Sequence, residues 1–95
     1  MRVISHKRIV EFGSRHYESR IPLNSWYKIV SKTDYNSFAE LKRTFPSTDY
    51  VDGLFIFNIG GNKYRLIAAI HFNTKMIYIR HVLTHEEYDK NKCKE

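Results

Sequence analysis

Ninety-five residues, 42% hydrophobic and 15% aromatic, suit one ordered domain over 1–95 and exclude a disordered chain, because seven Tyr, six Phe and one Trp bury enough apolar area to offset chain entropy. Sixteen Lys and Arg against ten Asp and Glu give a net charge of +6, which favours polyanionic partners through long-range attraction and counterion release. The single cysteine, Cys93, excludes an intrachain disulfide and a cysteine-based metal site; with no signal-peptide core and no apolar run near the roughly 20 residues that cross a bilayer, a soluble protein of the reducing cytoplasm is expected.

The opening "RVIS" reads as a short strand, with Ser5 as N-cap of a helix over "HKRIVEFGSRHYES", where Ile9, Phe12 and His16 recur at helical spacing. Gly13 weakens the middle of that helix by about 1 kcal/mol relative to Ala and is a point where it could end early. The clearest helix is "IPLNSWYKIVSK": Pro22 suits a first turn, and Leu23, Trp26, Tyr27 and Val30 form one apolar stripe. A short third helix follows in "NSFAELKRTFP", with Phe38, Leu41 and Phe45 on one side and Pro46 as its stop. The run "STDYVDG", residues 47–53, reads as a loop.

After Gly53 the period becomes that of strands. "LFIFN" and "KYRLIAAIHF" flank "IGGN", whose glycines suit a tight hairpin, and a second hairpin through Asn73 and Thr74 leads into "MIYIRHVL". With Gly60 and Gly61 as a two-residue loop, Asn58 should face Lys63, Phe57 should face Tyr64 and Ile56 should face Arg65. With Asn73 and Thr74 as the next, Ala69 should face Tyr78, Ile67 should face Arg80 and Arg65 should face Val82. Alternation then predicts a core face of Phe55, Phe57, Tyr64, Leu66, Ala68, Ile70, Ile77, Ile79 and Leu83, against which the helical stripes pack. The opposite face should carry Ile56, Asn58, Lys63, Arg65, Tyr78 and Arg80, a basic and partly aromatic surface suited to phosphates and stacked bases. An ordinary solvated outer face has a similar composition.

No phosphate-binding glycine loop is present, because "GSRHYES" lacks the P-loop Lys and "IGGNK" joins two strands. His81 and His85 are four apart but span a strand end, and no third ligand has matching spacing for zinc. His71 and His81 are expected on the core-facing side as structural residues, and His6 and His16 as surface or packing residues. His85 differs, because it follows the last strand in "THEEYDKNKCKE", a terminal helix or tail in which Thr84 and Glu87 have capping-box spacing. A metal-free ribonuclease needs a base, an acid and cations around the phosphorane-like transition state. His85 as base or acid, Arg65 and Arg80 as phosphate clamps, Tyr88 as a stacking or proton-transfer partner and Asp89 as an orienting carboxylate meet those needs.

The segments "NSFAELKRTFPSTDYV", "FNIGGNKYRLIAAIHF" and "IYIRHVLTHEEYDK", with "MRVIS" and "WYK", resemble the HigB-type toxins of the RelE/ParE superfamily from the first strand to about Lys90. The resemblance implies an α+β fold of the RelE-like microbial ribonuclease type: two N-terminal helices packed on a twisted antiparallel sheet, with a short C-terminal helix. It also implies a cofactor-free, metal-independent endoribonuclease acting on mRNA held by the ribosome. Its partner would be a cognate HigA-type helix-turn-helix antitoxin, with operator DNA bound only through the antitoxin complex. Arg65, Arg80, His85 and Tyr88 match positions implicated across the superfamily, and Lys63 is a weaker match. Superfamily members rely either on Lys and Arg or on several His and an Asp, and this chain carries neither complete set; His85 as base is the preferred assignment. A rival from another class is a non-catalytic toxin of the same fold that binds RNA or blocks gyrase.

Overall fold

The change of period near Gly53 divides the chain into a helical half and a sheet half. A computed structural model, which describes residues 1–91, gives β1 (Arg2–Ile4), α1 (Lys7–Arg15), α2 (Arg20–Lys32), α3 (Phe38–Thr44), β2 (Asp49–Val51), β3 (Leu54–Ile59), β4 (Tyr64–His71), β5 (Met76–Thr84) and α4 (His85–Asn91). A 3-10 turn, Tyr17–Ser19, joins α1 to α2. The architecture is α+β, and Cys93 lies outside the described residues.

Ser5 does not cap α1. It takes a left-handed φ of 73° that turns the chain out of β1, and His6 holds the cap position without a side-chain bond. Nor does Gly13 end the helix, which runs on to Arg15. The missing side chain admits Arg20: a Cβ at position 13 would lie 3.2 Å from Arg20 Cγ, and Arg20 Nε donates to the Gly13 carbonyl at 3.3 Å. The α2 stripe behaves as expected, with Leu23, Trp26 and Val30 buried. The Met1 ammonium donates to the carbonyls of Val30 at 2.7 Å and Thr33 at 2.6 Å, at the helix end where carbonyls can take further donors, and so ties β1 to α2. In α3, Ser37 Oγ accepts from the Glu40 N–H at 3.2 Å while the Glu40 carboxylate accepts from the Asn36 N–H at 2.9 Å.

The strands form one sheet in the order β1-β5-β4-β3-β2. It is mixed and not wholly antiparallel, because β1 runs parallel to β5. Residues 47–53 are not all loop: Asp49–Val51 pairs antiparallel with β3 through a two-residue turn, Asp52 and Gly53, both at positive φ. The β3–β4 loop holds four residues, 60–63, so Asn58 faces Arg65, Phe57 faces Leu66 and Ile56 faces Ile67. That is a displacement of two from the predicted register, and an even displacement leaves every side chain on its face.

Between β4 and β5 the predicted Ala69–Tyr78 pair forms, but a bulge follows. Ala68 faces Ile79 and Ile67 faces His81, which places Arg80 as the extra residue of the bulge and sets Arg65 opposite Leu83 instead of Val82. One extra residue inverts the alternation beyond it. Val82 therefore packs toward the helices and Leu83 toward the opposite face, the reverse of the prediction. His81, paired with Ile67, leaves the helix-side core, and His71 is exposed with its ring against Tyr78 at 5.2 Å.

The main core lies between α1, α2, α3 and one sheet face, where Phe12, Leu23, Trp26, Val30 and Leu41 meet Phe57, Leu66, Ala68, Ile77 and Ile79. Trp26 and Phe45 both meet the Phe57 ring edge-on, at 5.2 and 5.4 Å. The opposite face is apolar at its centre, not basic: Leu54, Ile56 and Ile67 form a second buried cluster with Ala69, Leu83 and Tyr88 of α4. The centre of the sheet is thus buried on both sides.

Ser37→Ala should cost about 1 kcal/mol, the usual loss for an N-cap, in urea unfolding. The Asn36 backbone N–H holds the Glu40 carboxyl below its ordinary range. Its contribution is complete above the unfolded-state value and disappears as pH falls through the lowered folded one. Glu40→Gln should remove that part of the acid dependence, read from unfolding midpoints across the acid range.

Candidate functional site

The site is built where β5 hands over to α4. Thr84, the last residue of β5, faces Tyr64, and its N–H donates to Glu87 Oε1 at 2.9 Å while Glu87 N–H donates to Thr84 Oγ1 at 3.1 Å. This is the reciprocal capping box expected from the spacing. The next N–H, that of His85, donates to the Lys63 carbonyl at 2.9 Å and ties the start of α4 to the β3–β4 loop. His85 is thereby set beside Arg65 on β4.

Arg65 is only 9% exposed, so the charge expected on an open surface lies inside the molecule. A buried cation is costly unless its donors are used. Its Nη1 donates to the carbonyls of Asn62 at 3.2 Å and Tyr64 at 3.3 Å, its Nη2 lies 3.1 Å from His85 Nδ1, and its Cζ stands 5.4 Å from the centre of the Tyr88 ring. On the other side of the imidazole, His85 Nε2 is 3.1 Å from Asp89 Oδ2. Guanidinium has donors and no acceptor, so Nδ1 accepts and the ring proton resides on Nε2, facing the carboxylate. The side chains of His85 and Asp89 are 49% and 59% exposed, and the chain of hydrogen bonds runs from a buried cation out to solvent.

Four of the residues singled out from sequence, Arg65, His85, Tyr88 and Asp89, come together here. Asn58 is the register partner of Arg65. Lys63 contributes its carbonyl, whereas its ammonium reaches Glu18 at 3.9 Å. Tyr78 packs on His71 and Met76, and Arg80 is exposed at the bulge on the strand that leads to His85. The carbonyls of Asn62 and Tyr64 were not foreseen as part of the site, because backbone acceptors have no signature in residue type. Among the described residues, no group of three or more His, Cys, Asp or Glu side chains is placed to hold a metal ion, and no helix is long and apolar enough to cross a membrane.

A family model for HigB_toxin, described as the RelE-like toxic component of a toxin-antitoxin system, matches residues 19–91, which include β3, β4, β5 and α4. An mRNA interferase HigB of Escherichia coli O6:H1 is 31% identical over 93 residues, covering 95% of this chain and 90% of that relative. The mRNA interferase toxin HigB of Escherichia coli K12 and the mRNA interferase HigB of Shigella flexneri are each 33% identical over 92 residues, 94% of this chain and 88% of each relative.

Thr84→Ala removes one half of the capping box and should lower stability by about 1 kcal/mol. Hydrogen exchange at the His85 amide should accelerate more than exchange in the central strands; equal protection in both proteins would show that the Lys63 carbonyl alone holds the helix start.

Proposed function

Because the chain belongs to the HigB family, the RelE-like toxic components of toxin-antitoxin systems, we propose that it is an mRNA endoribonuclease that inhibits translation by cutting mRNA on the ribosome. A cognate antitoxin follows from family membership. A helix-turn-helix protein of the HigA type fits that role, with operator DNA reached only through the complex, and the cytoplasm is where ribosomes and antitoxin are met. The observation that carries the reading is the partly open cluster of Arg65, His85, Tyr88 and Asp89, which joins a cation, an imidazole and an aromatic ring at the end of one strand.

The reaction is an in-line displacement in which the 2′-oxygen bonds to phosphorus as the bond from phosphorus to the 5′-oxygen breaks. One proton leaves the 2′-hydroxyl and one reaches the 5′-oxygen. Charge accumulates on the phosphoryl oxygens between these events, and donors aimed at it lower the barrier. His85 stands at the exposed end of the cluster to meet that phosphate, Tyr88 offers a ring to a flanking base, and Arg80 supplies an exposed cation on the adjoining strand. His85 and Asp89 are half exposed at the outer end of the cluster, so the reactive alignment of 2′-oxygen, phosphorus and 5′-oxygen is left to the ribosome that holds the message.

Cut sites mapped on mRNA in programmed ribosomes, with chelator at levels that leave ribosomes intact, should appear with the wild-type protein. They should fall at least about 100-fold with His85→Ala, the usual loss for such a group. Ribosome binding without cleavage by the wild type would replace this reading with that of a non-catalytic toxin.

A further inference from the structure

We infer that Arg65 is a positioning residue that locks His85 as its Nε2–H tautomer, so that the imidazole meets the scissile phosphate as a hydrogen-bond donor and not as a base. The inference rests on the nuclease reading for the identity of the acceptor, and on geometry alone for the tautomer.

Three observations carry it. First, Arg65 has little freedom to act as a phosphate clamp: it is 9% exposed, its Nη1 is committed to two backbone carbonyls, and its Nη2 is committed to His85 Nδ1. Second, the Arg65–Nδ1 contact admits only one arrangement of the ring. A proton on Nδ1 would set two donors 3.1 Å apart, so both the Nδ1–H tautomer and the doubly protonated ring conflict with the guanidinium as placed. Third, the remaining ring nitrogen carries its hydrogen outward to Asp89 Oδ2 at 3.1 Å, and that carboxylate is 59% exposed. A phosphoryl oxygen offers Nε2–H the same kind of acceptor when Asp89 swings aside.

An imidazole so held has no free lone pair. It cannot take the 2′-hydroxyl proton without first giving up the Nε2 hydrogen, and it cannot give that hydrogen away without becoming an imidazolate beside a carboxylate. It can hold the hydrogen toward an oxygen that gains charge in the transition state, which is worth most where the donor is already oriented. The proton of the 2′-hydroxyl passes to solvent water and the 5′-oxygen is protonated from solvent, so His85 ends the reaction as it began. The Tyr88 ring packs near the same guanidinium and helps confine it.

Two measurements on the full chain test this. In long-range proton–nitrogen NMR of histidine-labelled protein, His85 should show a pyridine-like Nδ1 and a pyrrole-like Nε2, with the selection lost in Arg65→Met and regained in Arg65→Lys. An Nδ1–H ring in the wild type, or an unchanged tautomer in a folded Arg65→Met, overturns the lock. In the ribosome assay, His85→Gln, whose amide N–H lies near the position of Nε2 but cannot act as a base, should keep cleavage within about tenfold of wild type. His85→Ala should fall at least about 100-fold. This arm does not require Arg65→Met to fold, and equal loss in Gln and Ala overturns the donor role. A wild type that shows the locked tautomer but never cuts overturns the nuclease reading while leaving the lock in place.

Discussion

The extra residue that β5 carries opposite the Ile67–Ala68 step decides where the polar end of the chain arrives. Without it, Arg65 would face Val82 and the capping threonine would stand opposite the loop. With it, Leu83 turns to the outer face, seals the small apolar cluster with Ile56 and Ile67, and brings Thr84 level with Tyr64. A single bulge thus supplies both the floor of the site and the point where α4 begins. Bulges recur beside functional sites because they re-aim side chains without disturbing the rest of a ladder.

The cost of the arrangement falls on Arg65. A guanidinium almost closed off from water would be strongly unfavourable without partners, and here, among the described residues, they are two carbonyls, a ring nitrogen and an aromatic face. Hydrogen bonds to a charged group are worth about 1.5–3 kcal/mol each, enough in combination to offset much of the desolvation. These partners carry no net negative charge, so the cation's field extends through the imidazole toward solvent. A direct Arg–carboxylate pair would have been easier to bury but electrostatically mute.

Legibility in the sequence followed the range of the interaction. The α2 stripe of Leu23, Trp26 and Val30, the α3 stop at Pro46 and the Thr84–Glu87 box are local patterns, and each appears as read. Strand β2 lies in a segment read as loop, although Asp52-Gly53 is a dipeptide that favours a two-residue hairpin. The four-residue β3–β4 loop shifted the register by two and did no harm to the facing. The Arg80 bulge did, because nothing in "IYIRHVL" distinguishes a regular strand from one that carries an extra residue. Arg65, His85, Tyr88 and Asp89 were singled out by residue type, whereas the burial of Arg65 and the direction of its donors depend on α4 folding back over the sheet.

That folding back also divides the labour among the charges. The chain's excess of cations would allow a site in which several guanidinium and ammonium groups close on the phosphate at once, yet Arg65 is turned inward and Lys63 reaches toward Glu18. Exposed cations such as Arg80 act at long range, while the group presented at the end of β5 is an imidazole of defined orientation. Attraction and orientation are therefore carried by different residues. A surface that attracts RNA broadly but orients it weakly gains little on free RNA and much on RNA already held in a reactive geometry.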